Sequence, residues 1–80
     1  MEEQRSNPGD WEAMVTKPVE TADGKQVGSV YAIQPERIVV YFGAVSPSKY
    51  LIPKSSVEEF DGIVHIKEDM DFVESNYRFE

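Results

Sequence analysis

Two phrases constrain this chain more than any others: Asp23-Gly24-Lys25-Gln26-Val27-Gly28-Ser29-Val30 and Tyr50-Leu51-Ile52-Pro53. Asp-Gly supplies a positive-φ turn that launches a strand, Gly28 permits a bend within that strand, and Pro53 must lie where no ladder donor is needed. Together they predict an all-β fold built on a small curled sheet. Asp23, Gly24, Gly28 and Pro53, with Gly62 further on, read as turn and bend positions, so they describe a scaffold rather than a chemistry.

The rest of the chain supplies the other strands. Met14-Val15-Thr16 with Val19 forms a first strand, in which Pro18 implies an edge or a kinked position because proline cannot donate to a central ladder. Gln26 to Ile33 is the second strand. Val27 and Val30 lie three apart, a spacing that flat alternation cannot place on one face, and a bulge at Gly28 reconciles them. Ile38 to Phe42 is the most β-prone run, with Ile38, Val40 and Phe42 on one side and Val39 and Tyr41 on the other. Both sides being apolar, the strand is central, or its outer face is covered by the C-terminal segment or by another chain. Lys49 to Ile52 is the fourth strand and Ile63 to Ile66 the fifth. Between them, Ser55 with Glu58 and Ser56 with Glu59 have capping-box spacing and predict one short helical turn across 54–60, ended by Asp61-Gly62.

Residues 1–12 read as a flexible acidic leader, 13–66 as the β domain, and 67–80 as an acidic C-terminal arm. Trp11 reads as a lid on the core, with an exposed partner anchor as its functional alternative. In the arm, Met70, Val73 and Tyr77 recur at helical spacing behind Glu68, Asp69 and Asp71, which suits a short helix laid over the sheet; Phe72 and Phe79 fall off that stripe. Removing everything after Ile66 is expected to weaken partner binding more than folding.

Charge narrows the classes of partner. The chain of 80 residues carries a net charge of −7, of which residues 1–12 and 67–80 hold −3 each and the middle only −1. Lys17, Lys25, Arg37, Lys49 and Lys54 are dispersed among acids, which disfavours nucleic acid and anionic membrane surfaces. The longest apolar runs are far shorter than a membrane-spanning helix, and the acidic N-terminus is unlike a secretory signal, so the expected location is cytoplasmic. No cysteine is present to make a disulfide or a thiolate zinc site.

Catalytic alternatives rest on few residues. His65 is the sole histidine, and its position in mid-strand makes it a half-exposed structural side chain in preference to a general base. Glu58-Glu59-Asp61 and Glu68-Asp69-Asp71 could pair carboxylates for hydrolysis, but consecutive acids in a turn or a tail read first as solvated surface, and they lack the glycine of a calcium loop. Gly24 and Gly28 lack the third glycine and the lysine of a phosphate cradle. No catalytic residue, metal ligand or cofactor is assigned.

The ordered set Lys17-Pro18-Val19, Asp23-Gly24, Val27-Gly28-Ser29-Val30, Tyr50 to Val57 and Asp61-Gly62-Ile63-Val64 resembles the PRC-barrel family over about residues 14–66. That family includes the cytoplasmic domain of the photosynthetic reaction centre H subunit, a domain of a ribosome maturation factor, and small stand-alone prokaryotic and archaeal proteins. The resemblance implies an SH3-like, PRC-type curled β-barrel of about five strands and a non-enzymatic adaptor role: docking proteins together, as in cell division or complex assembly. The expected partners are proteins, the chain itself as a homodimer among them, with no nucleic acid and no membrane insertion. Tyr41, Phe42, Tyr50, Phe72, Tyr77 and Phe79 are the candidate anchors of such a surface. The alternatives are an assembly factor docking on basic ribosomal proteins, and a small ligand-binding domain or enzyme using His65.

Overall fold

The computed structural model describes residues 11–79. Six strands make up one sheet: β1 Pro18–Glu20, β2 Gln26–Ile33, β3 Arg37–Phe42, β4 Ser48–Pro53, β5 Val57–Phe60 and β6 Val64–Ile66, in the order β4-β3-β2-β1-β6-β5. Neighbours are antiparallel except β1 and β6, which run parallel with Val19 opposite Val64. The sheet is open, with β4 and β5 as its edges. Among the described residues one α-helix, α1 Met70–Asn76, follows β6.

The sheet has six strands rather than five because residues 54–60 do not form the expected helical turn throughout. Only Lys54–Ser56 turns, as a 3-10 helix, and Val57 then returns to extended backbone and pairs with Ile66. Glu58 is an extra residue on β5, since Val57 faces Ile66 and Glu59 faces His65. The first strand also starts later than expected. Trp11–Met14 form a 3-10 turn that sinks Met14 into the core, and Thr16 at φ 76 breaks the extended path before Pro18. Pro18 opens an interior strand, not an edge; pairing with β6 begins at Val19, so the missing N–H removes no bond from that ladder.

Gly28 performs the bend expected of it. Val19 faces Gly28 and Glu20 faces Gln26, which leaves Val27 as a bulge and lets both Val27 and Val30 enter the core. At φ +112 the glycine also admits β3 so closely that a Cβ there would lie 2.2 Å from the Tyr41 carbonyl oxygen. A second bulge follows, with Val30 facing Val40 and Ala32 facing Val39, so Tyr31 is the extra residue, and the shift lets Ile33 face core-directed Ile38. The Asp23-Gly24 turn closes with the Gly24 N–H donating to Thr21 O at 2.9 Å. Asp61, Gly62 and Ile63 join β5 to β6, with Gly62 at φ +101. Pro53 ends edge strand β4, where a missing donor costs nothing.

The inner face of the sheet carries the core, in which Val19, Ile38, Val40, Ile52 and Val64 have no exposed surface. Met14 from the N-terminal side and Val73 from α1 complete it. The arm is therefore helical and packed, with Met70, Val73 and Tyr77 on its core side as the spacing predicts. Trp11 packs against the same core with the Lys54 ammonium 4.9 Å from its ring centre. Of the leader 1–12, residues 1–10 lie outside the described residues, and Trp11 and Glu12 belong to the 3-10 turn.

Candidate functional site

Strand alternation sorts the aromatic residues onto different surfaces. On β3, Ile38 and Val40 point into the core, so Val39 and Tyr41 take the outer face; on β4, their partners Leu51 and Lys49 do the same. Tyr31, which follows core-facing Val30, points outward by the same alternation and stacks on Tyr41 with ring centres 4.6 Å apart and planes 5° from parallel. Tyr31 remains 63% exposed. Beside this stack, the Lys49 ammonium sits 4.9 Å from the centre of the Phe79 ring. The outer face of β2, β3 and β4 is thus an aromatic platform bordered by the Lys49 cation, and Val39 on the same face is buried.

Of the six expected anchors, Tyr41 and Phe79 lie on or beside this platform. Tyr50 does not reach the surface: it is 1% exposed, because its register partner is core-facing Val40, and its hydroxyl donates to Glu74 Oε2 at 2.6 Å. Tyr77 is half-buried, with its hydroxyl 3.1 Å from Ser56 Oγ and 3.2 Å from Glu68 Oε2. Phe72, on α1, meets Tyr77 edge-on at 5.4 Å. Phe42 is exposed at the end of β3, opposite Ser48. The sequence reading passed over Tyr31. Its signal was simple alternation, since the residue after core-facing Val30 on β2 faces outward.

The titratable groups hold the fold together. His65 Nε2 lies 3.0 Å from Asp61 Oδ1 and its Nδ1 lies 3.5 Å from Glu20 Oε1, so the imidazole bridges the β5–β6 turn to β1. The hydrogen bond with His65 holds the Asp61 carboxyl below the ordinary carboxylate range, helped by the Ile63 N–H. Asp23 is likewise lowered, first by the Thr21 hydroxyl, and it accepts from Met70 N–H at 3.3 Å, which joins the β1–β2 turn to the start of α1. Asp69 caps that helix by accepting from Phe72 N–H at 2.9 Å. Glu68 accepts from Ser56, and its second oxygen is buried without a partner among the described residues. Among those residues no group of three or more acids and histidines is placed to hold a metal ion, and no pocket opens.

No family model matches this chain. No curated protein matches it either. No helix among the described residues is long and apolar enough to cross a membrane.

Proposed function

We propose that this chain is a protein-interaction module that docks its partner on the outer face of β2, β3 and β4. The observation that carries this reading is the Tyr31–Tyr41 stack, two parallel rings held at the surface of a sheet. Aromatic side chains supply large contact area at little conformational cost, and here the stack already fixes both rings. The platform lies on strands paired residue by residue from Arg37–Pro53 to Phe42–Ser48, so a partner meets a preformed surface.

The ordered phrases that resemble the PRC-barrel family support the same role, because that family serves mainly in docking. A net charge of −7 favours a basic protein partner over nucleic acid. The enzyme reading has less support: His65 is bound to two carboxylates that tie strands together, an arrangement that presents no nucleophile to a substrate.

The test is affinity capture from native lysate with the wild-type chain, a Tyr31→Ser/Tyr41→Ser variant, and Glu58→Lys on the far edge as a control. The Tyr31/Tyr41 variant, shown to be folded by circular dichroism, is expected to lose the partners that the control retains. Retention of the same partners by both would overturn the reading.

A further inference from the structure

The two edges of the sheet are protected in different ways. β5 is short, bulged at Glu58 and lined by Glu58-Glu59, features that discourage any added strand. β4 has none of these: it pairs with β3 over six successive residues without a shift in register. Its outer edge is instead occupied by the chain itself. Leu51 N–H donates to Tyr77 O at 2.9 Å, Phe79 N–H donates to Lys49 O at 2.6 Å, and Tyr50 faces Arg78 in an isolated antiparallel bridge.

Each side chain of this three-residue strap meets a complement. The Tyr77 hydroxyl reaches Ser56 and the Glu68 carboxylate. Arg78 donates to Glu74 Oε1 at 3.1 Å and to Ser48 Oγ at 3.2 Å. The Phe79 ring lies against the Lys49 ammonium. Along the edge of β4 the strap therefore meets, in order, Ser56 and Glu68 as partners for a hydroxyl-bearing aromatic, the Glu74 carboxylate of α1 with the Ser48 hydroxyl for a cation, and the Lys49 cation for an aromatic face. Beside these side-chain contacts the strap makes two ladder bonds to β4, and Arg78 and Phe79 are both exposed.

We propose that the β4 edge is a peptide-binding site of the strand-addition kind, occupied by Tyr77–Phe79 as an internal ligand until an extended aromatic–basic–aromatic segment of a partner protein replaces it. Because the strap is tethered, its effective concentration is high, and a short external peptide competes poorly. A segment laid along the whole of Ser48–Pro53 makes more ladder bonds than the strap and so displaces it. The strap shares the Lys49–Phe79 contact with the border of the Tyr31–Tyr41 platform, but the stacked rings lie on the face of the sheet and not on its edge.

The test uses the full chain and a synthetic peptide with the sequence of residues 74–80, followed by amide NMR. The peptide is expected to shift the amides of Lys49 and Leu51 and to bind an Arg78→Ala/Phe79→Ala variant at least roughly fivefold more tightly than wild type, since the internal competitor is weakened. A scrambled peptide should leave those amides unmoved. Equal or weaker binding to the variant, or shifts mapping elsewhere, would overturn the proposal. Hydrogen exchange on the wild-type chain provides a test that needs no variant. The Leu51 amide should exchange at least about a hundredfold faster than the interior β3 amides, because the strap opens by itself; exchange as slow as in β3 would show that the strap leaves only when the whole domain unfolds.

Discussion

The Tyr50 hydroxyl donates to Glu74 Oε2 at 2.6 Å, joining the inner face of β4 to α1 across the edge of the core. Burial, followed by the bond to Glu74, pushes the Tyr50 phenol up to about 12 from its ordinary 10.0. The folded state therefore keeps this proton at pH values where the unfolded chain has lost it. The associated stability is fully present below pH 10 and is lost as pH rises towards 12. Urea midpoints measured across that range should fall in the wild type, and Tyr50→Phe, although less stable at neutral pH, should remove this part of the decline. An unchanged alkaline slope in Tyr50→Phe would show that Tyr50 is not the group responsible.

On the acid side the sign reverses. Asp23, Asp61 and Glu74 are each held below their ordinary values of 3.8, 3.8 and 4.5, so their contributions are present above those values and are lost as pH falls through the lowered ones. Denaturant midpoints should begin to drop below pH 4.5. Asp61→Asn should shrink that drop, and an identical acid profile would contradict the assignment of Asp61 to it.

Gly28→Ala should abolish folding or cost more than about 3 kcal/mol, since the position combines positive φ with backbone contact to β3. Gly24→Ala is the useful comparison: its φ is also positive, but a Cβ there meets nothing within 4 Å. Thermal unfolding of the two variants side by side separates close approach from backbone conformation, and equal losses would mean that approach contributes little.

Val73 has no exposed surface and lies in the core, so the arm is part of the folded unit. Val73→Ala should cost about 2 kcal/mol by urea denaturation. Truncation after Ile66, which the sequence suggested would spare folding, should now unfold much of the domain, with loss of amide dispersion as the measurement. A truncated chain that keeps its dispersion would restore the original expectation.

Much of this fold was legible because backbone geometry leaves few substitutes. Asp23-Gly24, Gly28 and Pro53 stand where a turn, a close approach and a strand end need them. The helical stripe Met70, Val73 and Tyr77 was legible for a related reason, since only one face of α1 meets the core. What escaped depends on long-range packing. Ser55 and Ser56 have helix-capping spacing, yet Ser56 bonds to Glu68 far along the chain, and Val57 onward joins β6 instead of continuing the turn. In β4, Lys49 shares a face with Leu51, so alternation alone points Tyr50 and Ile52 inward; the expectation of Tyr50 as a surface anchor followed its residue type and not this pattern, and its pairing with Val40 puts it in the core. The outer platform was visible in part through Tyr41, and Tyr31 follows from the same alternation because its neighbour Val30 faces the core; what escaped is that the two rings stack across β2 and β3.

The parallel pairing of β1 with β6 also governs when the domain can assemble during synthesis. Val19 finds Val64 as a neighbour only after the intervening strands have been made. Until then β1 is an open margin, paired with β2 alone. A nascent chain halted before Val64 therefore displays an unfinished sheet to its surroundings, and its vulnerable interval lasts until β6 and then α1 have been made.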